Sequence, residues 1–327
     1  MENWVKLHED KDVFEEMVLT AADSMGLPQA YVEKDYWVTW VLANLAASSH
    51  CDDFVFKGGT SLSKVHGLIH RFSEDVDLAV CNTEWGGSKR RKRLKAVGKD
   101  ITAGLTYLPD HPGESKQGNF RKTYYQYPRQ DEDADLGHAS DVLLLEVNAM
   151  AAPEPHSVEE IQSLVAEYLI GSGNAELVER YELQPFRLKV LDVQRTAAEK
   201  VIALVRASRE GGDESYLKLR IRHVYDLCMI FRNEEHVQWL DNQSFERMLV
   251  AVCDADRRVF AGASAWLDEP LHEAPLFAEP RATWALVAAE FEGPFSKMVY
   301  GGDLPDSDEI VQLLERLGDV LERLASP

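Results

Sequence analysis

Two short apolar runs joined through a pair of glycines constrain this chain more than any other feature of its sequence. Asp53-Phe54-Val55-Phe56-Lys57 is apolar and stops at Gly58-Gly59, and Asp75-Val76-Asp77-Leu78-Ala79-Val80 alternates acids with aliphatic residues. Runs of this kind read as strands. Between them, a helix is expected from about Thr60, with Leu62, Val65 and Leu68 on one stripe. A strand that ends in glycines, then a helix, then a second strand is an α/β unit, so the N-terminal part of the chain is expected to carry a sheet with helices packed on it.

The polar residues of the same unit point to phosphate chemistry. Asp75 and Asp77 stand two apart on a strand, so both carboxylates leave from one face, while Val76, Leu78 and Val80 take the other. Adjacent carboxylates repel unless a cation neutralises them. Mg²⁺ suits that role, because it accepts a few carboxylates and completes its shell with substrate oxygens. Gly58 and Gly59 let backbone approach a ligand closely. Thr60 can cap the following helix, whose first-turn N–H groups attract phosphate, while Ser61 and Ser63 add hydroxyls and Lys64 a charge. Glu146 sits alone in Leu143-Leu144-Leu145-Glu146-Val147. An acid in such a run is costly unless it pairs, faces water or meets a metal, so it is a candidate third carboxylate. Ser63 stands where a Walker A loop has glycine just before its lysine, and no Gly-x-Gly-x-x-Gly occurs, which argues against P-loop kinases and Rossmann dehydrogenases.

Composition narrows the class. The chain has 327 residues, 45% hydrophobic, enough for one large domain or two ordinary ones. No apolar run approaches the roughly 18 residues that span a bilayer. The N-terminus lacks a basic segment followed by an apolar block, and the four cysteines are scattered, so a cytoplasmic protein without membrane contact is expected. A net charge of −21 opposes a broad grip on nucleic acid. One local exception is Lys89-Arg90-Arg91-Lys92-Arg93-Leu94-Lys95, followed by Lys99, which reads either as a solvated helix face or as a landing site for phosphates.

Further helices are expected over 12–24, from Pro28 to about Ala47, and over the basic run 88–104. Arg121–Tyr127 and Asp141–Ala149 read as strands, and Pro109–Asn119 and the acidic segment Arg129–Ser140 as loops. From Ser157 the pattern becomes mostly helical, apart from a strand at Phe186–Leu191, with helices at about 192–208, 215–232, 244–253, 282–293 and 307–324. Lys200 falls on the apolar stripe of its helix, where a lysine needs a partner. Arg222 and Asp226, four apart, are placed to meet. The expected division is 1–180 and 181–327.

Several segments, taken in order, resemble the AbiEii/AbiGii nucleotidyltransferase toxins, the group that includes the MenT toxins of type IV-like toxin–antitoxin systems. They are Glu33–Thr39, Phe56–Lys64, Arg71–Leu78, Ala198-Glu199-Lys200 and Arg222–Leu227. The resemblance implies a polymerase-β-like nucleotidyltransferase core with a mixed sheet, followed by a mainly helical C-terminal domain that contributes Lys200 and Asp226 to the cleft. It implies a metal-dependent enzyme that takes a nucleoside triphosphate with Mg²⁺ or Mn²⁺, an acceptor that is a tRNA 3′ end or other RNA, and a separately encoded antitoxin. Asp75, Asp77, Lys200 and Asp226 would then be catalytic, with the metal on Asp75, Asp77 and Glu146. Gly58, Gly59, Thr60, Ser61, Lys64 and Ser73 would hold the nucleotide. A nucleotide-binding module without turnover, or transfer to a protein acceptor, would use the same residues.

Overall fold

The computed structural model describes residues 6–73, 75–81, 85–129, 141–210, 214–259, 262, 264–302 and 304–325. Glu74 and most of the acidic loop expected at Arg129–Ser140 lie outside them. The chain divides into two units, 1–66 with 72–190, and 67–71 with 191–327.

The first unit runs α1 (Lys11–Met25), α2 (Gln29–Ala47), β1 (Phe54–Lys57), α3 (Gly59–Lys64), β2 (Asp75–Val80), α4 (Gly87–Ile101), β3 (Thr106–Tyr107), β4 (Ser115–Lys116), β5 (Phe120–Gln126), β6 (Val142–Asn148), β7 (His156–Ile161), α5 (Leu164–Gly171), α6 (Ala175–Arg180) and β8 (Phe186–Leu191). Its strands form one mixed sheet in the order β3-β5-β6-β2-β1-β8-β7, with β4 paired to β5. β2 is antiparallel to β1 and parallel to β6, and β1 is parallel to β8. Val76, Leu78 and Val80 are fully buried with Phe54, Phe56, Leu143, Leu145 and Val147 in one apolar core. That burial fixes the register, because a slip of one residue would turn the acids of β2 inward.

Several expectations change. α3 is six residues long and stops at Lys64, since Gly67 turns the chain with φ 59°; Val65 and Leu68 are therefore outside it. β7 was expected to be helical. It is an edge strand in which Ile161 alone is buried, so it carries no apolar alternation for the sequence to show. The loop 109–119 contains β4. β8, paired to β1, completes the first unit's sheet.

The second unit contains α7 (Val193–Arg209), α8 (Ser215–Lys218), α9 (Ile221–Arg232), α10 (Glu234–Val237), α11 (Gln243–Val259), α12 (Pro275–Ala278), α13 (Pro280–Glu292) and α14 (Ser307–Ala325). The expected helix 215–232 is thus two, separated at Leu219-Arg220. α7 packs on α9, α11 and α12, and α14 on α11, α12 and α13. α14 buries Ile310, Leu314, Leu317, Val320 and Leu321. The segment 67–71 is sewn into this unit by a bridge between Arg71 and Val299 and by the Tyr300 N–H donating to the His70 carbonyl over 2.8 Å.

Candidate active site

Two polar constellations stand out, one in each unit. In the first, β1 ends in Lys57, opposite Asp77 on β2, and the chain turns at Gly58 with φ 86° and ψ −165°. Only glycine holds that conformation without strain. A Cβ on Gly58 would overlap Asp77 Oδ2 and lie 3.1 Å from Asp77 Cγ. The glycine bend and the acid therefore occupy one place, through direct backbone-to-carboxylate approach. Asp75 and Asp77 are both half-buried, on the face of β2 opposite its core residues. Glu146, on the parallel neighbour β6, is the register partner of Asp77. Register partners in a sheet share a face, so Glu146 stands on the same face as Asp77.

Hydroxyls lock this corner. Thr60 donates to the Asp75 carbonyl oxygen at 2.7 Å, and its Oγ1 lies 3.0 Å from Ser73 Oγ. Ser61 donates to the Gly58 carbonyl at 2.9 Å. Both side chains are buried. These bonds hold α3 against β2 and the bend. Lys64 is likewise engaged: its ammonium pairs with Asp35 at 2.5 Å and donates to the Gln162 carbonyl at 2.9 Å. Asp35 in turn accepts from the Leu164 N–H at 2.8 Å, tying α2, α3 and the start of α5 together. This pairing is the structural content of the Glu33–Thr39 segment, with Lys34 donating to the Val142 carbonyl at 2.5 Å.

Carboxylate oxygens from Asp75, Asp77 and Glu146 are a hard donor set that fits Mg²⁺ or Mn²⁺. Among the described residues, no group of three or more His, Cys, Asp and Glu is gathered to hold a metal by itself. A cation at this corner would draw its remaining ligands from substrate oxygens.

The second constellation is Arg71, Lys200 and Asp226, all buried. Arg71 grips Asp226 in a two-pronged bond, Nε to Oδ1 at 2.6 Å and a second guanidinium nitrogen to Oδ2 at 2.8 Å. Lys200 donates to Oδ2 at 2.7 Å. Burial alone would raise the Asp226 carboxyl, but Arg71 and then Lys200 outweigh it and hold the group well below the usual carboxylate range. Burial pushes the neighbouring His223 well below its ordinary 6.5; Lys200 adds to the effect and Asp226 opposes it. The expected Arg222–Asp226 pair does not form: Arg222 is exposed, and both Asp226 oxygens belong to Arg71 and Lys200. Arg71 is the residue sequence reading missed, because its partner lies 155 positions away and no local spacing signals it.

A fold with a mixed sheet and a glycine bend set against paired acids defines the class, and sequence comparison gives the family. The AbiEii nucleotidyl transferase toxin family, of type IV toxin–antitoxin systems, matches residues 40–313. The chain belongs to that family and is a nucleotidyltransferase toxin by membership. Among solved structures it is similar to MenT4, a nucleotidyltransferase toxin from Mycobacterium tuberculosis H37Rv, with 17% identity, a TM-score of 0.49 and coverage of 94% of this chain and 98% of that one. Among curated proteins no match is found. No helix of the described residues is long and apolar enough to cross a membrane.

Proposed function

We propose that the chain transfers a nucleoside monophosphate from a triphosphate to an RNA 3′ end, such as that of a tRNA, and that a separately encoded antitoxin restrains it. The observation that carries this reading is the close approach of Gly58 to Asp77, with Asp75 and Glu146 on the same sheet face. Backbone without a side chain can meet phosphate there, while the acids beside it would hold the cation that offsets the phosphate's charge.

Asp75 and Asp77 would hold a divalent cation, with its remaining ligands drawn from substrate oxygens. That cation supplies charge neutralisation at the phosphate oxygens. The chain's own groups do the rest. The Gly58-Gly59 backbone receives the triphosphate, and Thr60, Ser61 and Ser73 keep the bend at its distance from Asp77. Lys64 acts by positioning α3 through Asp35, with no direct phosphate contact. Glu146 orients the attacking hydroxyl, whose oxygen forms the new bond to the α-phosphorus as pyrophosphate leaves. Lys200 is assigned to charge neutralisation and Asp226 to holding Lys200, since a carboxylate saturated by two cations has no bond to offer a ligand. Positioning and electrostatics carry this chemistry without a covalent enzyme intermediate.

The test incubates the protein with each α-labelled triphosphate, a divalent cation, and a mixture of tRNA and protein. Label in RNA, lost in Asp75→Ala and Asp77→Ala proteins that remain folded, is the expected result. Label in protein would reassign the acceptor. Triphosphate binding without any transfer would leave a nucleotide-binding module in place of an enzyme.

A further inference from the structure

α4 carries a row of lysines on its solvent face. Lys89, Lys92, Lys95 and Lys99 are exposed at spacings of three, three and four, so successive ammonium groups stand about one helical turn apart, ~5 Å, on one side of the helix. None of the four has an ion-pair or hydrogen-bond partner among the described residues. Some surface arginines elsewhere are paired: Arg232 with Glu309, Arg281 with Asp308, Arg316 with Asp241 and Arg323 with Glu246. The one acid on α4, Asp100, is engaged by His50 at 3.1 Å. The apolar side of the helix, Leu94, Val97 and Ile101, is buried.

Two arginines fix the helix in place. Arg93 pairs with Asp53 at 3.2 Å and stacks over Trp85, and Arg90 donates to Asn119 at 2.5 Å and to the Trp85 carbonyl at 2.8 Å. An open groove lined by His50, Ser88, Lys89, Lys92, Arg93 and Ala96 runs along this side. Like charges at i,i+3 and i,i+4 oppose helix formation, and a protein of net charge −21 has acids enough to pair them. A row of lysines kept unpaired, at regular stride, on a rigidly docked helix complements a linear polyanion.

We propose that this lysine row binds the phosphodiester backbone of the RNA acceptor. The inference rests on the nucleotidyl-transfer reading for its choice of RNA over other polyanions. Contacts to phosphate position a strand without reading its sequence, so α4 sets where the acceptor lies while the acid–glycine corner performs the transfer. The binding is local: acids elsewhere on the chain repel RNA, and affinity falls steeply with salt as counterions are released.

The experiment measures fluorescence anisotropy of a short labelled single-stranded oligoribonucleotide with the full chain, without triphosphate, across a range of salt. Wild type is expected to bind with a steep salt slope. Lys89→Gln/Lys92→Gln/Lys95→Gln is expected to bind at least ~10-fold more weakly, with the slope reduced by about 2 for three lost phosphate contacts, at unchanged melting temperature and triphosphate affinity. Should that variant misfold, Lys92→Gln alone is expected to reduce the slope by about 0.7. Unchanged affinity and slope overturn the proposal. So does a fluorescent polyglutamate peptide binding as tightly as the RNA, which would assign the face to an acidic protein. Failure of the enzyme reading is seen separately: Asp77→Ala that keeps transfer activity sinks the active-site assignment and leaves the α4 measurement intact, while Asp77→Ala that loses transfer is expected to keep RNA binding.

Discussion

The two acidic constellations are built on opposite principles. At the glycine corner of the first unit, Asp75 and Asp77 are half-buried, set against bare backbone at Gly58, with neighbouring hydroxyls bonded to the scaffold. In the second unit Asp226 has no solvent exposure, and both its oxygens are filled by Arg71 and Lys200. Asp75 and Asp77 thus sit at the rim of the core, while Asp226 is sunk in it and holds two other side chains. Burial and bonding separate the two arrangements, which identity alone does not, since all three are aspartates in recognisable motifs.

Substitutions should break the two regions in different ways. The largest effect is expected at the corner: Asp75→Ala or Asp77→Ala should lower transfer by at least ~10²-fold, the scale of a lost electrostatic stabiliser, while circular dichroism and melting temperature stay near wild type. Asp226→Ala should act first on stability. It leaves Arg71 and Lys200 buried without their counter-charge, and breaking a buried pair this way costs about 3–5 kcal/mol, measured by urea unfolding. Lys200→Met should cost less than Asp226→Ala, because Arg71 keeps its two bonds to the acid. Gly58→Ala sharpens the comparison further: this glycine-only conformation costs another residue roughly 1–3 kcal/mol, and the added methyl must displace Asp77, so an activity loss beyond the stability loss is expected in paired kinetic and melting measurements.

The smallest expected effect is on pH. His223 has a lowered value in the folded protein, so the unfolded chain takes up the proton first, and stability should fall as pH drops below 6.5. Asp226 is also lowered, and its contribution is present above 3.8 and lost as pH falls below it. Unfolding midpoints followed from pH 8 downward, for wild type and His223→Gln, should diverge below about pH 6.5.

Much of this arrangement was legible in the sequence, for local reasons. β2 alternates acid and aliphatic residues, and the structure places it over the expected Asp75–Val80; β8 matches Phe186–Leu191 in the same way. Gly58 announced a turn, because a pair of glycines after an apolar run has few other uses. What stayed hidden was nonlocal or weakly patterned. Arg71 reads as an ordinary flank of the acidic motif until the fold brings Asp226 to it across 155 positions. The pairing of Lys64 with Asp35 was hidden because the two sit on different helices. The bonds of Thr60 and Ser61 to the scaffold have no local sequence signal either. β7 lacked a signal, since an edge strand with one buried residue has no periodic face to read.

The most direct measurement compares wild type with Asp77→Asn, a substitution that keeps the shape against Gly58 and removes the charge. Both would be assayed for incorporation of α-labelled triphosphate into tRNA, with and without a divalent cation. Cation-dependent labelling by wild type, and none by a folded Asp77→Asn protein, is the predicted result. Undiminished labelling by Asp77→Asn would contradict the assignment of the glycine–aspartate corner as the centre of transfer.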